Sequence, residues 1–151
     1  MKYCFRTITW KFKETAESLP ELQNVSSVVV RAPDDLFRTY RGLFNDQARE
    51  RFIVFWLNSA NKVMGFEVVS EGILDSSVVH PREVFRGAIV ATAAAIIIAH
   101  NHPSGNPEPS AEDMSITKQI VESGKIVGIR VHDHLIFAGN GYTSFAERGI
   151  M

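Results

Sequence analysis

The chain has 151 residues, 45% of them hydrophobic, a formal net charge of −1 and a single cysteine, Cys4. That length supports one compact domain with a real core and is short for two, and the near-zero charge gives no indication of a nucleic-acid partner, although Lys2, Arg6, Lys11 and Lys13 gather near the N-terminus. One cysteine excludes both a disulfide framework and a thiolate zinc cage; with no signal-peptide h-region and no apolar run of the ~20 residues a membrane span needs, a soluble, cytoplasmic protein without a membrane partner is expected.

Residues 1–30 are expected to be an N-terminal arm or an edge strand, with SSVVVRAP as a short strand or extended lead-in to a domain over 31–151. Trp10 and Phe12 are aromatic residues available to that edge or to a homo-oligomer contact. PDDLFRTYRGLF predicts a helix from Pro33, with Asp34 and Asp35 in its first turn and Leu36, Phe37, Tyr40, Leu43 and Phe44 at helical spacing. RFIVFWLNSANKVMGFEVVSEG predicts a β-hairpin turning through Asn58 to Lys62. PREVFRGAIVATAA predicts a helix with Pro81 at its first position, led in by His80. AAIIIAH is a short, wholly apolar strand of central-sheet type, and SAEDMSITKQIVESG predicts a helix with Ser110 as N-cap and Gly124 at C′. Strand IRVHDHLIFAG and a hairpin at Asn140-Gly141 close the chain, and helices alternating with strands imply an α/β sheet with helices on its faces.

The strand end carries the chemistry. Side chains at i and i+2 share one face of a strand, so His100 and His102 present two imidazoles side by side and Asn101 turns away. The chain leaves through a stiff loop with prolines at 103, 107 and 109 and reaches Asp113 in the first turn of the following helix. Two neutral nitrogens and one carboxylate can hold a metal while leaving a tetrahedral position open, as catalytic zinc sites do, and this ligand set favours Zn2+ over copper or iron. Ser110-x-x-Asp113 is equally the start of a capping box, a purely structural reading that stands beside the first.

His100, His102, Ser110 and Asp113, at the spacing H-x-H-x7-S-x2-D, match the JAMM motif of the JAB/MPN metalloprotease superfamily. The wider text HNHPSGNPEPSAEDMSITKQI, with QARERFIVFWLN before it and HDHLI after, resembles the RadC-like branch over roughly residues 30 to 148. The resemblance implies a cytidine-deaminase-like mixed α/β sheet with helices on both faces, zinc held by His100, His102 and Asp113, and an upstream glutamate that activates water. Glu50, just before the strand FIVFWL, fits that glutamate; Glu67, Glu71 and Glu83 read as a strand pair and a first-turn helix charge. The implied function is a zinc-dependent peptidase or isopeptidase acting on a protein or peptide substrate, with Glu50 as general base and Ser110 stabilising the oxyanion. The alternative is a metal-containing binding module for a protein or DNA partner associated with DNA repair. Full-length RadC-like proteins carry an N-terminal helix-hairpin-helix region for which 151 residues leave no room, so DNA binding is not the expectation.

Two neighbouring readings fall away. Zinc nucleobase deaminases need H-x-E and P-C-x-x-C, which a single Cys4 cannot supply, and the letters His100-Asn101-His102 match the name of HNH nucleases only by accident. The second histidine pair, His132 and His134, has no third ligand at a convincing spacing and is expected to be structural or to support the site from behind, with Asp133 orienting a neighbour.

Overall fold

Seven consecutive residues, Ala95–Asn101, are buried on both faces and form β3, the middle strand of a five-stranded sheet. The computed structural model describes residues 28–44, 48–72 and 79–151 of the chain. Around β3 the order is β2-β1-β3-β4-β5, built from β1 (Glu50–Leu57), β2 (Val63–Gly72), β4 (Arg130–Ala138) and β5 (Gly141–Ser144). Only β3 and β4 run parallel, joined through the long helix α3 (Ala111–Val127); the other pairings are antiparallel, so the sheet is mixed as expected. The arm or edge strand expected for residues 1–30 falls almost entirely outside the described residues; of its end, Val29 bridges to Lys62 beside the β1–β2 turn.

Alternation along the strands sorts the core into two layers. Ile53, Phe55, Leu57, Ile97 and Leu135 face helix α1 (Pro33–Tyr40), which contributes Leu36, Phe37 and Tyr40. Phe52, Val54, Ile96 and Ile98 face α2 (Pro81–Val90) and α3, which supply Val84, Phe85, Ile116 and Ile120. Helices therefore cover both faces, and a central strand such as β3 is buried in every position and apolar from Ala95 to Ala99; each fully buried isoleucine contributes about 1.5–3 kcal/mol through transfer from water. Among the described residues no helix is long and apolar enough to cross a membrane.

Three element ends differ from their sequence expectations. The helix begun at Pro33 stops at Tyr40 and gives way to a 3-10 turn over Arg41–Leu43. Helix α2 stops at Val90 and not at residue 94, where Thr92 takes a positive φ of 52° and the chain turns into β3. Helix α3 does not end at Gly124. It continues to Val127, and Gly128, in the left-handed conformation at φ 75°, closes it with its N–H on the carbonyl of Gly124. Gly124 is an interior residue chosen for close approach: a Cβ there would stand 2.6 Å from the main-chain oxygen of Ile129 and 3.2 Å from Phe85 and Val131.

That contact makes a sign prediction. An exposed helical glycine gains about 1 kcal/mol on replacement by alanine. Gly124→Ala is expected instead to lose about 1–3 kcal/mol, because the new methyl meets backbone that cannot yield. Urea unfolding with an unchanged m-value measures it, and a stabilised variant contradicts the packing account.

Candidate metal centre

The carboxyl end of β3 and the amino end of α3 meet at one point on the α2/α3 side of the sheet. His100, the last but one residue of β3, is wholly buried, and His102 follows it just past the strand, where its backbone N–H still bonds to Phe137 of β4 at 2.9 Å. His100 Nε2 and His102 Nε2 stand 3.0 Å apart. Asp113 completes the triangle, one carboxylate oxygen 3.2 Å from His100 Nε2 and the other 3.4 Å from His102 Nε2. Ligands bound at 2.0–2.1 Å around a tetrahedral zinc stand about 3.3 Å from one another, so the three separations fit the edges of such a polyhedron. The three side chains could hold a metal ion, in the geometry that H-x-H and the downstream Asp predict.

The cap and the candidate ligand are the same residue. Asp113 occupies the third helical position of α3; its Oδ2 accepts the Ser110 N–H at 2.7 Å, and its own N–H donates to Ser110 Oγ at 3.0 Å. The capping box is thus real, and it does not compete with the metal-facing role but aims the carboxylate for it. Burial alone would raise the Asp113 pKa; the two imidazoles and the Ser110 N–H overcome this and hold it far below the usual carboxylate range. Asp113 in turn raises the pKa of His102 against the opposing pull of burial, with smaller help from the Asn106 carbonyl and the charge of Glu50.

His102 is oriented by the proline loop. Its Nδ1 lies 2.7 Å from the Asn106 carbonyl, which only accepts, so Nδ1 carries the proton and the neutral ring offers its Nε2 lone pair to the cluster. The loop is itself anchored: Arg148 forks onto both oxygens of Glu108 at 2.8 and 2.9 Å, tying it to the C-terminal turn. Beside the cluster opens a cleft of about 290 Å³, polar in character, to which Glu50, Ser110 and Glu112 contribute. A larger cavity of about 350 Å³ lies on the other face of the sheet over Leu57, Ile97 and Leu135. Its buried Asp133 is fully engaged by Ser144 Oγ and the N–H groups of His134 and Ala146, so the convergent donors sit at the smaller cleft.

Glu50 opens β1, two residues before Phe52, which pairs with His100 across the β1–β3 ladder. Asn101 holds it there. The Asn101 carboxamide accepts the Arg51 N–H at 2.7 Å and donates to the Arg49 carbonyl at 3.1 Å, clasping the backbone on both sides of Glu50. Sequence reasoning turned Asn101 away from the site and missed this; an amide set between two candidate ligand histidines was the available signal. Of the other glutamates weighed from the sequence, Glu67 and Glu83 form ion pairs with Arg86 and Glu71 with Arg51.

The second histidine pair parts company. A bulge in β4 between Val131 and Asp133 breaks the i, i+2 relation, leaving His132 against Asn61 at 3.1 Å on one side and His134 fully buried behind His100 on the other. His134 Nε2 lies 2.7 Å from His100 Nδ1, the supporting position foreseen for the pair as a whole.

Over residues 30–150 the sequence matches the model of the RadC-like JAB domain. The chain belongs to the RadC-like JAB family. A UPF0758 protein of Salinibacter ruber is 55% identical over 122 residues, which cover 81% of this chain and 52% of that protein. Those of Desulforamulus reducens and Methanosarcina mazei are 42% and 40% identical, over 91% and 81% of this chain and 61% and 53% of their own lengths. The chain thus covers 52–61% of the length of these relatives. The family match and the mixed sheet with helices on both faces agree with the JAB/MPN fold that the motif implies.

The buried histidines of the RadC-like domain give stability a pH signature when no metal is bound. Burial, reinforced by His100, lowers the pKa of His134 well below 6.5. Below pH ~6.5 the unfolded chain therefore takes up a proton there that the folded chain refuses, and stability falls with falling pH by up to about 1.4 kcal/mol per unit from this group. His102 acts in the opposite window: its raised pKa stabilises the fold fully below ~6.5, and that contribution is lost as pH rises through the folded value. Chemical denaturation of chelator-treated protein should show a maximum near pH ~6.5, and His134→Gln should flatten the acid limb. A stability that keeps climbing from acid to alkaline pH contradicts the His102 assignment, and an acid limb unchanged in His134→Gln contradicts the His134 assignment.

Proposed function

We propose that the protein is a zinc-dependent hydrolase of the JAMM type, a peptidase or isopeptidase, with His100, His102 and Asp113 as metal ligands. One observation carries the reading: two imidazole nitrogens and a carboxylate converge within 3.0 to 3.4 Å beside an open polar cleft that Glu50 and Ser110 also line. The chemistry of the donor set supports zinc, since two neutral nitrogens and one oxygen leave a fourth position for water or substrate. Bound zinc supplies Lewis acidity and lowers the pKa of a water molecule toward ~7.

The chain's own groups then divide the work. Glu50 takes the proton of the attacking water as the new C–O bond forms and returns it to the amine as the C–N bond breaks. Ser110 Oγ already accepts the Asp113 N–H, so its O–H is directed to another acceptor; it donates to the substrate carbonyl oxygen as that atom gains charge. Asp113 holds Ser110 in place through the same capping box, so ligand, cap and oxyanion donor move as one unit. Asn101 keeps Glu50 at the cleft by fixing the peptides on either side of it.

Elemental analysis together with a scan of peptide and isopeptide substrates tests the proposal. Glu50→Gln should keep stoichiometric zinc and lose about 10²–10⁴-fold in kcat. Ser110→Ala should lose up to about 10²–10³-fold and also about 1 kcal/mol of stability, because it removes the N-cap. Zinc that stays bound while Glu50→Gln retains full activity removes Glu50 from the role of base. A wild type with stoichiometric zinc and no hydrolysis of any substrate favours a binding module.

A further inference from the structure

Thr117 and His134 lie behind the cluster and have no part in the roles above. We propose that Thr117, acting through His134, is a positioning residue that sets the proton on His100 and so fixes the tautomer that can bind metal; this rests on reading His100, His102 and Asp113 as a metal centre. The usual partner of a metal-bound histidine is a carboxylate or carbonyl, which can only accept, so the ligand's tautomer follows at once. His100 has another imidazole instead, at 2.7 Å, and an imidazole can either donate or accept. The direction must be decided one step further out.

It is decided at Thr117. Thr117 Oγ1 lies 2.6 Å from the main-chain carbonyl of Asp113, one helical turn earlier, and a carbonyl only accepts, so the single hydroxyl proton goes there. The same oxygen lies 2.6 Å from His134 Nδ1 and can only accept from it, which places the His134 proton on Nδ1. In the neutral ring Nε2 is then the acceptor, so His100 Nδ1 must donate. His100 Nε2 is left with a bare lone pair, and that atom points at His102 and Asp113. The relay therefore starts on the backbone of one metal ligand and ends on the ring of another. Its walls are apolar: Phe52 stacks on His100 at 6.1 Å and Phe145 on His134 at 4.6 Å, and His134 is wholly buried, so water has little access to reverse the order.

Packing and relay make opposite predictions at Thr117, which is itself 1% exposed. Valine keeps the shape and loses the hydroxyl; serine keeps the hydroxyl and loses a methyl. Zinc affinity is measured by competition with a chromophoric chelator. The relay predicts Thr117→Val about 10–100-fold weaker than wild type and Thr117→Ser within about threefold of it. Thr117→Val at wild-type affinity, or Thr117→Ser as weak as Thr117→Val, overturns the inference while leaving the metal centre standing. A wild type that binds no zinc overturns the metal centre, and this inference with it. A second measurement needs no variant: in the metal-free wild type with both rings neutral, long-range ¹H–¹⁵N spectra of the imidazoles should place the protons of His134 and His100 on Nδ1, and a His134 proton on Nε2 refutes the relay.

Discussion

The carboxylate of Asp113 meets three demands at once, and the arrangement of the domain follows from them. It accepts the N–H that starts α3, and it faces two imidazole nitrogens that stand 3.0 Å apart. Two ring nitrogens at that distance, with lone pairs directed at one another, repel unless a cation or a shared proton lies among them. A buried carboxylate likewise needs positive charge or strong donors to stay ionised. The α3 amino terminus provides part of that positive potential, and the remainder must come from whatever the imidazoles hold. Sheet and helix are therefore arranged to bring unlike groups to one point where none of them is comfortable alone.

Such a point demands rigid supports, and each support is a different physical device. His100 is carried by a strand buried on both faces, so it cannot shift without moving the core. His102 is carried by a loop with prolines at 103, 107 and 109, short of conformational freedom and latched by the Arg148 fork on Glu108. Asp113 is carried by its own capping box. Glu50 is carried by the Asn101 clasp and by Arg51, whose guanidinium reaches Leu43 and Glu71 and so ties three segments together. The latch on the loop is exposed and contributes little energy by itself. Its value is geometric, because the Asn106 carbonyl it helps to place also selects the His102 tautomer.

Much of this was legible in the sequence, for a definite reason. An apolar run that ends in H-x-H encodes both the strand and the face its ligands share, since the period of two is a property of the backbone and does not depend on neighbours. The cap at Ser110 was legible on similarly local grounds, whereas Glu50, expected just before the strand and found as its first residue, was picked out by the family resemblance. What was hidden depends on contacts distant in sequence. The bulge that separates His132 from His134 arises from pairing with β3, and the interior role of Gly124 arises from Ile129 and Phe85. Asn101 looked idle because alternation gives only the face of a residue and not what waits there, 50 residues away in Arg51. The helix ends at Tyr40 and Val90 were missed because apolar periodicity runs on past them into turns that also bury side chains.

The same distinction separates the two cavities. The larger one has an apolar floor, and its buried Asp133 is already engaged by Ser144 and Ala146. The smaller cleft differs: at its floor two imidazoles and a carboxylate converge on one point, and its lining adds the carboxylates of Glu50 and Glu112 and the hydroxyl of Ser110. Convergence of such groups on one point, not volume, is what distinguishes the smaller cleft. The residues of the cluster and of its supports, from Glu50 to His134, all lie within the stretch that matches the RadC-like JAB domain.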